Sequence, residues 1–152
     1  MRTLDVGDVA PHFELELATG GRLSLATMLE SGPVLLAFYK VTCPTCQFTL
    51  PFLDRLAGGL QIYAIAQDPA SRVAEFNREF ATNLPTLIDA EPYPVSSAYG
   101  LTHVPSLFLV EPDGRIAWAS VGFQRRELEQ LAQRAGHTLF RPAERVPESK
   151  YG

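Results

Sequence analysis

Cysteine is scarce. The 152 residues contain two, too few for a disulfide-rich scaffold or an all-cysteine zinc site. Positive charge is also in deficit: 13 Lys and Arg stand against 17 Asp and Glu, a net charge of −4. No basic run stands out, so a nucleic-acid face is not expected. Long apolar runs are missing. The longest, Val34 to Tyr39, falls far short of the ~18 residues of a membrane span. The opening MRTLDVGDVAP has one basic residue and no apolar core, so it does not read as a secretory signal. No internal repeat or low-complexity tract is present. What remains is ordinary for one globular domain: 46% of residues are hydrophobic and 20% charged. A chain of this length buries roughly 70% of its unfolded surface, so its core needs no disulfide or structural metal. One domain is expected over 1–152, with its core at about 7–136.

Periodicity orders the chain. Phe13 to Leu17 alternate apolar and acidic, Thr19-Gly20-Gly21 is a turn signal, and Arg22 to Leu25 can return, which reads as a hairpin. Ala26 to Glu30 is one helical turn, stopped by Ser31-Gly32-Pro33. Val34 to Tyr39 (VLLAFY) is apolar throughout, a strand covered on both faces. Pro44 to Ala57 reads as a helix with Phe48, Phe52, Leu53 and Leu56 on one face, a kink at Pro51 and a stop at Gly58-Gly59. Gln61 to Ala66 is the next buried strand. Asp68 then reads as an N-cap with Pro69 at the first helical position, opening a helix with Val73, Phe76 and Phe80 inward. Leu87-Ile88 is a strand piece, and Val95 to Tyr99 a short helix closed by Gly100. Ser106 to Val110 and Arg115 to Ser120 flank the turn Glu111-Pro112-Asp113-Gly114, a second hairpin. Gln124 to Ala135 is the last helix, and the polar, proline-bearing stretch 137–152 is expected to be a loose tail. The order predicts an α/β fold with a mixed sheet: the crossover makes the first core strands parallel, and the late hairpin is antiparallel.

Both cysteines lie in one tetrapeptide, Cys43-Pro44-Thr45-Cys46, at the end of a buried strand and the start of a helix. A CxxC in a βαβ context reads as a redox pair. Pro44 at the first helical position puts Cys43 at or near the N-cap, where free backbone N–H groups and the positive end of the helix dipole favour a thiolate. Cys46 falls almost one turn further in, placed to attack a mixed disulfide on Cys43. The competing readings are two buried cysteines acting as small hydrophobes and half of a metal site.

Residues 34–56 resemble the core of thioredoxin-fold redoxins, nearest to the AhpC/TSA-redoxin and TlpA/ResA-like group, where a proline follows the second cysteine by five residues, here Pro51. Gly7 to Phe13 (GDVAPHF) resembles that group's G-x-x-A-P-x-F opening. Residues 98–114 (AYGLTHVPSLFLVEPDG) resemble its stretch around a cis-proline. The resemblance implies a thioredoxin-like fold with an added N-terminal hairpin, and a cis Val104-Pro105 bond beside the CxxC. It also implies a substrate cleft shaped by Pro44, Thr45, Val104 and Pro105, with the Val104 backbone free to pair with an extended substrate segment.

The chain departs from that pattern where relatives carry a carboxylate. Ala37 stands where thioredoxins have a buried acid, Thr49 where TlpA/ResA-like proteins have a glutamate, and Thr42 where an aromatic precedes the first cysteine. The usual proton acceptor for the resolving thiol is therefore missing. Lys40, Thr42, Asp68 and His103 are the candidate tuning groups. Against these stand plainer roles: a helix N-cap for Asp68, a solvated charge for Lys40, a loop residue for His103. Cys43, Cys46 and His103 together would suit a soft ion such as Cu(I), a copper-chaperone alternative. A further alternative is a peroxiredoxin-like peroxidase, because Cys-Pro-Thr follows a strand ending in Phe-Tyr. That loop has a threonine three residues before its cysteine, where this chain has Lys40.

The expectation is a thiol–disulfide oxidoreductase. Its partners are a disulfide-containing protein or small thiol substrate and an upstream reductant. No organic cofactor and no metal is implied, because electrons travel on sulfur. Both cysteines in one CxxC, with no leader, suggest the reducing cytosol; a trimmed leader would place the chain in the periplasm or outside. Neither composition nor motif assigns an oligomeric state.

Overall fold

A computed structural model describes residues 2–151. Its main sheet has seven strands. Two form the N-terminal hairpin, β1 (Glu14–Leu17) and β2 (Arg22–Ser24). Four form the buried centre, β3 (Val34–Tyr39), β4 (Gln61–Ala66), β5 (Thr86–Ile88) and β6 (Ser106–Val110). The seventh, β7 (Ile116–Val121), lies at an edge. The order is β2-β1-β5-β4-β3-β6-β7. β3 is parallel to β4 and antiparallel to β6, β4 is parallel to β5, and β6 and β7 form the expected antiparallel hairpin. This is the mixed sheet with added N-terminal strands that the element order predicted.

Every side chain of β3 is buried, as its unbroken apolar run requires. The pleat sends them to two cores. Leu35, Ala37 and Tyr39 join Cys46, Leu53 and Leu131 on one face; Leu36 and Phe38 join Met28, Tyr99 and Phe108 on the other. The first core is roofed by α2 (Pro44–Asp54), α3 (Ala70–Phe80) and α5 (Arg125–Ala135), the second by α1 (Leu25–Leu29) and α4 (Pro94–Ala98). Pro51 lies inside α2. The helix ends three residues before the expected Ala57, because Arg55, Leu56 and Ala57 turn to tighter bonds on Phe52, Leu53 and Asp54.

Two expectations are corrected. Asp68 does not cap α3: its N-cap is Pro69, with no side-chain bond, and the helix begins at Ala70. The Asp68 carboxylate turns back to accept from the Val41 N–H at 2.9 Å. The stretch after 136 is not loose over its described residues. Leu139 is buried, and the Phe140 ring meets Phe52 at 5.0 Å. Arg55 forks onto Glu144 at 2.8 and 2.7 Å and also donates to the Leu139 carbonyl. Ser149–Lys150 forms β9, antiparallel to β8 (Phe123–Gln124). A polar composition hid two apolar anchors, and the fork joins residues far apart in sequence.

Tertiary structure also adds a buried cap. Asp89 is fully buried and accepts from the Val95 and Ser96 N–H groups and from the Ser96 hydroxyl, at 3.2, 2.7 and 2.7 Å. It serves the N-terminus of α4, whose own N-cap, Tyr93, makes no side-chain bond.

Candidate active site

β3 is flanked by β4 and β6, so its C-terminal end opens where the chain leaves to both sides, a place where α/β sheets form clefts. The chain exits there into α2. Cys43 is the N-cap, in extended conformation, with Pro44 at the first helical position. Its sulfur accepts from the Cys46 N–H at 3.1 Å, meeting one of the helix's orphan donors. On its other side the Cys43 thiol donates to the Val104 carbonyl at 3.6 Å. Both cysteines are free thiols. Cys43 keeps 8% of its surface and Cys46 none. Burial pushes the Cys46 thiol far above its ordinary range, and the bond to Cys43 adds to this; the Lys40 backbone and charge pull partly back.

A cleft of about 350 Å³ opens beside Cys43, lined by Lys40, Gln67, Leu101, Thr102, His103 and Val104. Lys40 is exposed at its rim. His103 is exposed too, its Nδ1 3.0 Å from the Thr102 hydroxyl. The Val104-Pro105 bond is cis and Pro105 is buried. Among the described residues, the Val104 N–H has no backbone partner. Pro44 is exposed at the first position of α2.

Other candidates lie elsewhere. Thr45, expected at the substrate face, is buried, and its hydroxyl donates to the Tyr151 carbonyl at 2.8 Å. It faces the 137–151 segment, because position 45 lies on the side of α2 that this segment covers. Thr42 is exposed and lines a separate hollow with Gln47 and Arg72, so its hydroxyl is not in the cleft beside Cys43. Asp68 supports the turn into the CxxC through Val41. Ala37 and Thr49 are fully buried, and the Thr49 hydroxyl donates to the Thr45 carbonyl at 2.7 Å. Among the described residues, no three His, Cys, Asp or Glu side chains converge to hold a metal ion, so Cys43, Cys46 and His103 do not form the set that a copper chaperone needs. Gln67 and Leu101 were missed. Gln67 follows β4, whose end lies beside that of β3, and it donates through its backbone to the Tyr39 carbonyl at 3.3 Å. That adjacency was the available signal.

The AhpC/TSA family model matches residues 6–119, from the N-terminal segment through the CxxC and Pro105 into β7. The chain belongs to the AhpC/TSA family. It is 26% identical over 126 residues to thiol-disulfide oxidoreductase ResA of Bacillus subtilis, covering 79% of this chain and 69% of that one. The ResA of Halalkalibacterium halodurans is 30% identical over 122 residues, 76% of this chain and 68% of that one. The thioredoxin domain of a thiol-disulfide oxidoreductase from Bacteroides vulgatus superposes with a TM-score of 0.75 over 87% of this chain and 98% of that one, at 21% identity. That last likeness is one of fold. This AhpC/TSA-family chain is a thiol–disulfide oxidoreductase acting through one pair of cysteines. Among the described residues, no helix is long and apolar enough to cross a membrane.

Proposed function

We propose that Cys43 is the attacking thiol and Cys46 the resolving one, within a chain that works as one domain. The Cys43 thiolate attacks a substrate disulfide, forms a Cys43 mixed disulfide and expels the first substrate thiolate. Cys46 then loses its proton and attacks the Cys43 sulfur. The Cys43–Cys46 disulfide closes, the second thiolate leaves, and the substrate has gained two electrons. An upstream reductant returns the pair to dithiol. The observation that carries this division is the placement of the sulfurs: Cys43 lines the cleft at the N-terminus of α2, and Cys46 is wholly covered one turn behind it. Val104 supports an extended substrate segment through its unpaired N–H, with Pro105 and Pro44 bounding the approach. The Lys40 ammonium stands exposed at the rim of the same cleft.

Cys46→Ser is expected to trap a substrate thiol on Cys43 as a stable mixed disulfide, seen as added mass on the intact chain, whereas Cys43→Ser traps little. Equal trapping in the two variants would overturn the assignment. Insulin-disulfide reduction assayed beside hydrogen peroxide turnover separates this function from a peroxidase, and the former is expected to dominate.

The cytosol is the proposed setting, because both cysteines lie in a single CxxC redox pair, as suits a reducing compartment. Thiol labelling in separated cell fractions is expected to find the reduced pair in the soluble cytosolic fraction. Recovery of the oxidised pair outside the cytoplasmic membrane would refute it.

A further inference from the structure

The outer part of the 137–151 segment lies beside the cysteine pair. Thr45, between Pro44 and Cys46, holds the Tyr151 carbonyl. Lys150 stands opposite Phe123 and Ser149 opposite Gln124 in the β8–β9 ladder, and the Arg125 N–H donates to the Glu148 carbonyl at 2.9 Å. The Gln124 amide donates to the Tyr151 hydroxyl at 3.0 Å, and the Lys150 ammonium sits 5.0 Å over the Phe48 ring. Gly122 links this segment to the cleft. Its N–H donates to the Pro105 carbonyl at 2.8 Å, and a Cβ on it would come within 2.5 Å of the Lys150 carbonyl. Thr45, residues 148–151, Gly122 and Pro105 therefore form one closed flank of the site. The opposite flank, with Lys40, Gln67 and His103, is open.

A short segment laid antiparallel on a strand edge is how an extended peptide docks on a sheet. At β8 the chain's own residues fill that place. The two halves of the segment are fastened unequally. The inner half carries buried Leu139 and the Arg55–Glu144 fork, whose guanidinium holds the Glu144 carboxyl at about 2. In the outer half Pro147, Glu148, Ser149 and Tyr151 are exposed. Exposed backbone bonds over few apolar contacts open at low free energy.

We propose that residues 147–151 are a specificity strap. By filling the β8 edge they confine substrates to the Lys40–His103 flank, so small or narrow disulfides reach Cys43 and disulfides set in a broad protein surface are disfavoured. This rests on the exchange reading of Cys43 and Cys46.

The test compares the full chain, a chain ending at Val146, and Lys150→Pro, which removes the backbone donor opposite Phe123 and leaves the Arg55–Glu144 fork in place. The probes are insulin and oxidised glutathione. Removing the strap is expected to raise kcat/KM for insulin about tenfold or more, with Lys150→Pro moving the same way, while oxidised glutathione stays within about twofold. An unchanged insulin-to-glutathione ratio in both variants overturns the strap. So does a parallel loss on both substrates, which would make the segment a mere prop for α2. If the shortened chain does not fold, Lys150→Pro decides alone. Should the full chain reduce neither disulfide, the exchange reading fails instead of the strap.

Discussion

A mixed disulfide held on Cys43 is expected to be resolved about tenfold faster for each pH unit between 6 and 9, close to a thousandfold across the range. The attacking species is the Cys46 thiolate. Burial lifts that thiol far above its ordinary range, so throughout this window the ionised fraction is small and grows tenfold per unit of pH. Ala37 and Thr49, the positions where the family resemblance implies a carboxylate, are sealed here and hold no titratable group. Stopped-flow decay of the mixed disulfide measures the slope. A flat profile would mean that another group takes the proton. If that flat profile were abolished in Asp68→Asn, the base would be Asp68, acting beyond its bond to Val41. Thr49→Glu puts a carboxylate three residues after Cys46, on the same side of α2. It is expected to raise the rate at pH 7 about a hundredfold and to flatten the profile, at the low end of the range of general-base effects.

Asp89→Ala is expected to cost about 3–5 kcal/mol of stability, because it strands two backbone N–H groups and a hydroxyl in a buried site, at roughly 1–3 kcal/mol for each unsatisfied group. For a domain of this size that lowers the melting temperature by about 10 °C or more. Ser96→Ala removes one partner and leaves the carboxylate on its two backbone donors, so about 1 kcal/mol is expected. Thermal and urea unfolding measure both. A loss below about 1 kcal/mol in Asp89→Ala would show that water reaches the site and replaces the carboxylate. The change also bears on the cleft, since α4 leads through Leu101 and His103 to Pro105.

Sequence and structure agree most closely where the signal is local. The bounds of β3, β4 and β6 match the apolar runs residue for residue. Both hairpins form at their glycine-bearing turns. The Cys43 N-cap follows from a proline placed directly after it, a rule that spans two residues. The disagreements share one cause. Asp68 looked like a cap for the helix after it, and a short polar side chain before a proline has no means of announcing that it will bond 27 residues back. Asp89 gave no signal at all, because its donors lie six and seven residues on, across a turn.

By itself the sequence determined the order of elements, the mixed sheet and the one sulfur pair at a strand-to-helix turn. Each rests on periodicity, turn chemistry or spacing that neighbouring residues carry together. Only the tertiary structure decided what faces that pair. It turned Thr45 away from the cleft onto Tyr151, brought Gln67 and Leu101 to Cys43, and folded a polar stretch along α2 onto β8. Those outcomes depend on which buried donor or apolar hollow is left open once the core has formed. Residues more than 100 positions apart then complete each other's hydrogen bonds, as Thr45 and Tyr151 do, because an unpaired polar group inside the fold costs more than the ordering of a short tail segment.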